Sequence, residues 1–228
     1  MSNTKTRKAL VLLSGGLDSS TCLAVAKQTY NCTAVGFNYN QRHLVELLKA
    51  SQQAKSQNVP FKLLRLPLYT RSSLTDHQIS VNQRSQFARD KRLPSTFTAG
   101  RNLIFLSHML AYGYPQGIKH YFIGVNNVDY SGYPDCKPEF IQNVTNTLRL
   151  AVDDPGIYVH TPLISYQKAA IIKLGRSLNV DYSETWSCYN PQAINKGEPL
   201  ACGKCESCRI RLKGFREANL QDPIKYVT

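Results

Sequence analysis

The sequence predicts an α/β protein built on a parallel sheet, and three observations carry that expectation. Short apolar stretches alternate with segments of helical spacing through the first part of the chain. The first apolar stretch, Leu10-Val11-Leu12-Leu13, runs directly into a Ser14-Gly15-Gly16 turn, and a helical pattern follows at once. The clustered cysteines fall near the end, as a small appendage to the alternating part would place them. Alternation of this kind argues for parallel strands with helices on both faces.

In order, Lys8–Leu13 is a strand, Ser19–Gln28 a helix and Cys32–Phe37 a second strand. Gln41–Gln57 carries helical apolar spacing at Leu44, Leu47, Leu48 and Ala54, and Phe61–Leu66 reads as a third strand. Tyr69–Ala99 is polar and irregular, which in a compact domain indicates a lid or a disordered loop. A helix from Arg101 to about Tyr112, a strand His120–Val125 and a helix over roughly Pro138–Val152 come next. A short extended piece leads to Thr161-Pro162-Leu163, Lys168 opens a helix through Leu174, and Glu206–Ala218 is the closing helix. The expected division is an α/β part over residues 1–180 and a cysteine-containing part over 181–228 packed on it.

The first turn has the chemistry of an anion cradle. Gly15 and Gly16 can take positive φ and let the backbone close around a ligand. Ser19 and Ser20 are favoured N-cap types, so unpaired N–H groups and the helix dipole converge on one point. No Gly-Lys-Ser/Thr follows, so this is a phosphate site other than a Walker A loop. Asp18 has two readings, a side chain that closes the turn through nearby N–H groups or a magnesium contact.

Composition bounds the partners. The chain has 228 residues, 42% hydrophobic and 19% charged, as expected of an ordinary globular protein. No apolar run is long enough to cross a bilayer, and the basic start passes into a strand without a signal-peptide core. The expected location is the cytoplasm. Lys and Arg number 28 against 15 Asp and Glu, a net +13 that attracts nucleotides, nucleic acid or acidic membranes. No block of five like charges appears, so a basic surround to a nucleotide pocket and an RNA-binding face both account for the surplus.

Seven cysteines cannot pair completely. Cys202, Cys205 and Cys208 are three residues apart, and Cys188 returns across a thirteen-residue loop. Tetrahedral Cys₄ zinc best satisfies that spacing, and an iron–sulfur cluster uses a similar one. Cys22, Cys32 and Cys136 lie among apolar or loop residues and read as small buried side chains. Four thiolates leave no open position, so the metal's expected work is structural.

With Ser14–Ser20, four further signals occur in order: Tyr39-Asn40-Gln41-Arg42-His43, Gly100-Arg101-Asn102, Asp129-Tyr130-Ser131-Gly132-Tyr133-Pro134-Asp135-Cys136, and the four late cysteines. The Ser-Gly-Gly-x-Asp-Ser turn resembles that of the N-type ATP pyrophosphatases. The whole set, from about Lys8 to Phe215, resembles the 7-cyano-7-deazaguanine synthase family of queuosine precursor synthesis. Asn40 stands where that family usually has Gly, and Ser95 and Ala99 where it more often has Asn and Pro. These departures bear on lid geometry.

The resemblance implies an adenine nucleotide alpha hydrolase-like, Rossmann-like domain with a small zinc-binding helical region, and a homodimer. It implies a ligase that adenylates 7-carboxy-7-deazaguanine with ATP, admits ammonia to form the amide, and activates that amide with a second ATP to leave the nitrile. Magnesium is expected with ATP, one zinc with Cys188, Cys202, Cys205 and Cys208, and no nucleic acid is required. The ATP-binding run is Leu13, Ser14, Gly15, Gly16, Leu17, Asp18, Ser19, Ser20, Thr21, Cys22 and Leu23. Asp18, Arg101 and Lys168 are the catalytic candidates, the last on family position. Asp129 or Asp135 is the candidate reader of the guanine edge, with Tyr130 or Tyr133 stacking on the ring and Arg42 and His43 beside it.

Two rival readings remain at this stage. A tRNA-modifying pyrophosphatase would fit the net charge and Lys204, Arg209, Arg211, Lys213 and Arg216 beside the cysteines, although no separate RNA-binding domain is evident. A non-catalytic, zinc-stabilised nucleotide- or RNA-binding module is opposed by the complete Ser-Gly-Gly-x-Asp-Ser turn and the Asp129–Cys136 loop taken together.

Overall fold

A computed structural model describes residues 7–227 apart from 42–43, 69–71, 77, 82, 87, 91–92, 129–131 and 196–197. Its centre is β1 (Lys8–Leu12), where side chains alternate between two cores. Ala9 and Val11, with Leu13 just beyond, belong to one buried cluster, and Leu10 to the other. The first cluster is covered by α1 (Leu17–Ala26), α5 (Lys168–Ser177) and the end of α6 (Glu206–Glu217). The second is covered by α3 (Arg101–Gly113) and α4 (Pro138–Val152).

The remaining strands of this sheet are β2 (Asn31–Asn38), β3 (Phe61–Arg65), β4 (His120–Phe122) and β5 (Tyr158–His160), with α2 (Val45–Ser56) between β2 and β3. All pairings are parallel and the spatial order is β3-β2-β1-β4-β5. The chain winds outward from β1 to β3, then returns to place β4 on the other side of β1. Ligands of such sheets lodge at the carboxyl ends of the strands where the winding reverses. Here that point is the turn after β1 and the segment after β4.

Four expectations are adjusted. Helix α1 begins at Leu17 with Gly16 as its N-cap, so Ser19 and Ser20 sit inside the first turn rather than capping it. Helix α5 continues three residues past Leu174, to Ser177. Strand β4 is short, because after Ile123 donates to the His160 carbonyl at 3.0 Å the chain leaves the sheet. The stretch between Cys188 and Cys202 contains a two-stranded hairpin, β6 (Gln192–Asn195) and β7 (Glu198–Leu200), where the sequence reads as loop.

The C-terminal helix is part of the main core. Phe215 and Ala218 share a cluster with Ile171 and Ile172 of α5. Tyr182, beyond α5, hydrogen-bonds through its hydroxyl to Thr21 Oγ1 at 2.8 Å and donates to the Ile171 carbonyl at 3.1 Å. That hydroxyl occupies the space a side chain at Gly175 would take: a Cβ there would lie 1.9 Å from it. Overpacking of a core that cannot yield typically costs 1–3 kcal/mol. Gly175→Ala is therefore expected to lower unfolding free energy by about 3 kcal/mol in urea melts, with Tyr182→Phe in the same chain restoring part of the loss.

Candidate active site

The turn after β1 is held from three sides. Gly15 has φ +84°, and a Cβ on it would meet the Glu46 carbonyl of α2 at 2.2 Å. Only glycine suits both constraints. The Gly15 carbonyl accepts the Trp186 N–H at 2.8 Å, which ties the turn to the segment that leads into Cys188. Inside the turn, Ser14 N–H donates to Ser19 Oγ at 3.2 Å. The Ser19 and Ser20 hydroxyls donate to the Gly16 carbonyl at 3.1 and 2.9 Å. Ser20 N–H is the first in this helix to reach a helical acceptor, so the N–H groups ahead of it point toward the opening.

Asp18 bonds across to α5 rather than closing the turn through nearby N–H groups. Its two carboxylate oxygens accept from Lys168 Nζ at 2.7 and 2.6 Å. Lys168 is the first residue of α5, where the helix dipole disfavours a cation, so the carboxylate supplies the compensating charge. Two features aim the lysine. Asn126, buried after β4, donates through its amide to the Leu163 and Tyr166 carbonyls just before α5. Gly214 of α6 leaves room for the lysine stem, since a Cβ there would lie 2.4 Å from Lys168 Cγ.

Opposite lies α3, beginning at Arg101. Burial works against the Arg101 charge, but Tyr39, Tyr133, Asp135 and Tyr189 around it more than offset that and keep the guanidinium charged. Asp135 caps the same helix: its Oδ2 accepts the Asn102 N–H at 3.2 Å, and its carbonyl accepts the Asn102 side-chain amide at 3.0 Å. Gly100, at the N-cap position, has no side chain for that task. Tyr133 stacks on Phe97 at 5.9 Å and shares a hydrogen bond with Thr96 Oγ1 at 2.5 Å. The irregular segment thus packs on the substrate-like loop through residues 96 and 97.

These walls enclose a cavity of about 300 Å³, at the small end of the range for small-molecule sites. Ser14, Gly16, Asp18, Ser19 and Lys168 line one end, and Arg101, Tyr39, Tyr133, Tyr189 and Glu46 another. Burial pushes the Glu46 carboxyl up to about 7, with Arg101 opposing the rise. Cys136 also lines the cavity, but burial, then Asp135, pushes its thiol up to about 12, so it is a poor nucleophile at neutral pH.

The four late cysteines converge. The sulfurs of Cys188, Cys202, Cys205 and Cys208 all lie within 4.8 Å of one another, and all four residues are buried. Cys188 Sγ accepts the Cys202 N–H at 3.2 Å and Cys202 Sγ the Cys205 N–H at 3.3 Å. Such N–H donors suit ionised sulfurs, so the donor set fits a thiophilic cation. Arg211, one turn beyond Cys208, is not the solvent cation its sequence suggests. It is 2% exposed and pairs with Asp222 at 2.9 Å while donating to Thr185 Oγ1 and the Tyr182 carbonyl.

Among the residues expected to bind nucleotide, Leu13, Ser14, Gly16, Leu17, Asp18 and Ser19 line the cavity. Gly15 shapes the turn from behind, and Ser20, Thr21, Cys22 and Leu23 are buried in the packing below it. Arg101, Lys168 and Tyr133 line the cavity, and Asp135 stands just behind its wall. Arg42, His43, Asp129 and Tyr130 lie outside the described residues. Glu46, Tyr189 and Trp186 were not singled out from sequence, and Tyr39 was quoted there only as part of the run Tyr39–His43. Glu46 and Tyr39 flank the Gln41-Arg42-His43 run, which was the available signal.

A family model described as queuosine biosynthesis protein QueC matches residues 8–219. The chain belongs to that family. A 7-cyano-7-deazaguanine synthase of Acinetobacter baylyi is 46% identical over 226 residues, covering 96% of this chain and 95% of the relative. One of Thermoplasma volcanium is 45% identical over 226 residues, covering 96% and 91%. The family's members thus act as enzymes of queuosine biosynthesis, and this chain is one by that membership. Among solved structures, a U34-tRNA thiolase of Methanococcus maripaludis aligns with a TM-score of 0.50 at 12% identity, covering 95% of this chain and 66% of the other. That likeness concerns the fold alone.

The packing of Gly214 against Lys168 gives a direct check on the site. Gly214→Ala is expected to displace the lysine stem and loosen its pair with Asp18, lowering the rate of the family reaction by about tenfold, a modest misplacement. The same variant should carry the same metal content at the cysteine cluster as the wild type, measured by elemental analysis.

Proposed function

We propose that this protein is an ATP-dependent ligase that converts 7-carboxy-7-deazaguanine and ammonia into 7-cyano-7-deazaguanine in queuosine biosynthesis. The observation that carries this reading is the pairing of an anion-ready helix start with Lys168 and Arg101 around one small cavity. The substrate carboxylate attacks the α-phosphorus of ATP, and pyrophosphate leaves against the N–H groups at Leu17–Ser19 and the hydroxyls of Ser14 and Ser19. Ammonia then displaces AMP to give the amide. The amide oxygen attacks a second ATP, and loss of AMP leaves the nitrile.

Phosphorus chemistry of this kind asks the protein chiefly for positioning and charge. Lys168 exchanges Asp18 for a phosphate oxygen as charge develops, and the released Asp18 carboxylate would hold magnesium, which would supply further charge neutralisation at the phosphates. Arg101 neutralises charge from the opposite wall. The deazaguanine ring stacks on Tyr133, with Tyr130 on the same loop, and its N1–H and 2-amino groups are read by the carboxylates of that loop, Asp129 or Asp135. Arg42 and His43 complete the substrate surround.

Zinc held by Cys188, Cys202, Cys205 and Cys208 supplies a structural crosslink when bound, since a Cys₄ set leaves no open position. The segment 181–228 is accordingly a small metal-binding unit on the α/β part. No helix among the described residues is long and apolar enough to cross a membrane. We place the enzyme in the cytoplasm as a homodimer.

The test is mass spectrometry of purified protein with 7-carboxy-7-deazaguanine, ATP, magnesium and ammonium, in the absence of RNA. The expected products are AMP, pyrophosphate and the nitrile, from protein carrying one zinc per chain. Absence of acid-dependent ATP turnover in folded, zinc-loaded protein would overturn the reading and turn attention to bases within RNA.

A further inference from the structure

The proposed reaction leaves one demand unmet by the phosphate-facing groups. Each nitrogen-centred step releases protons. When ammonia attacks the acyl-adenylate, a C–N bond forms, the C–O bond to AMP breaks with its electron pair going to AMP, and the nitrogen sheds a proton. When the adenylated amide collapses, the C–O bond to AMP breaks as the nitrogen sheds its last two protons and the triple bond forms. Lys168 and Arg101 are cations and cannot accept these protons. Asp18 is taken by Lys168 at rest and by the magnesium of ATP in the proposed reaction, and Asp135 is bonded to the start of α3.

Resting on that reading of the reaction, we infer that Glu46 is the proton acceptor for amide and nitrile formation. It sits in the first turn of α2 and lines the same cavity as the anion turn. Its carbonyl lies against Gly15 of that turn, where a Cβ would come within 2.2 Å of it. The charged and titratable groups that face it among the described residues are Arg101 from α3, Tyr39 from the end of β2 and Tyr189 from the cysteine segment. The cavity's other basic groups, Lys168 and Arg211, are held by Asp18 and Asp222. Burial among aromatic rings pushes the Glu46 carboxyl up to about 7, with Arg101 limiting the rise. A base with that affinity releases its proton to water between steps and so can serve repeatedly near neutral pH.

The experiment compares wild type, Glu46→Gln and Glu46→Asp in the full chain through three readouts. These are acid-dependent ATP–pyrophosphate exchange, amide formation from acid and ammonia, and nitrile formation from synthetic amide, which removes ammonia's own titration. Adenylation transfers no proton from nitrogen, so Glu46→Gln is expected to keep exchange within about threefold, with KM for the acid unchanged. Amide and nitrile formation should fall about 100-fold, and Glu46→Asp should recover part of the loss. Wild-type conversion of the amide should rise as pH passes about 7, where the carboxylate forms, and Glu46→Gln should lose that limb.

Folding is controlled by linkage. The folded protein holds a Glu46 proton that the unfolded chain loses between its own lower value and about 7, so ionisation at higher pH disfavours the fold. Glu46→Gln should therefore melt no lower than wild type at about pH 8. Full nitrile formation by Glu46→Gln, or a parallel loss of exchange with a raised KM for the acid, would overturn the inference, the latter making Glu46 a binding residue. Should Glu46→Gln fail to fold, Glu46→Asp decides: an unaltered pH profile and rate for it would overturn the role. Wild-type protein without exchange would instead refute the proposed reaction itself.

Discussion

The ion pair between Lys168 and Asp18 is the interaction to which the rest of the site is referred. It joins the first residue of α5 to the first turn of α1, and both helices lie on one face of the sheet. A lysine at a helix start has the dipole against it, and a carboxylate at the start of α1 has the dipole in its favour. The pair therefore stores a cation beside an anion site without an unpaired charge. In the proposed reaction an arriving phosphate would meet a lysine whose stem is already placed by Gly214 and whose helix is aimed by Asn126.

That arrangement explains why a metal-binding tail belongs to the enzyme. Trp186, two residues before Cys188, donates to Gly15 in the anion turn, and Gly214, six residues after Cys208, backs Lys168. Arg211 lies between these contacts and is buried with Asp222. Removing either partner of such a pair would strand a buried charge, which is costly even where the pair itself contributes little. The cysteine cluster, the Arg211–Asp222 pair and the packing of Phe215 thus hold the same helix from three directions. A metal held by the cysteine cluster would need no part in chemistry to affect catalysis.

Much of this was legible in the sequence for local reasons. The strand, Gly-Gly turn and helix around Ser14–Ser20 are contiguous, and the cysteine spacing is short, so both signals survive without knowledge of the fold. Asn40 shows how a departure from family pattern can be conservative. It has φ +59°, a conformation that glycine adopts freely and asparagine tolerates better than most residues. What was not legible depended on partners far along the chain. Arg211 reads as one of several surface cations until the tail folds back to bring Asp222 to it. Glu46 reads as a helix-start acid until α2 is packed against the anion turn. The capping of α3 by Asp135 replaces a side chain that Gly100 lacks, and no local rule announces a cap supplied from another loop.

In the proposed reaction the acid's own oxygen attacks the α-phosphorus of ATP within this cavity. A heavy-oxygen label placed in the substrate carboxylate tests it most directly. Both labelled oxygens are expected to leave in AMP, one with each nucleotide consumed, and the nitrile to carry none. Label recovered in pyrophosphate, inorganic phosphate or water, with none in AMP, would contradict it.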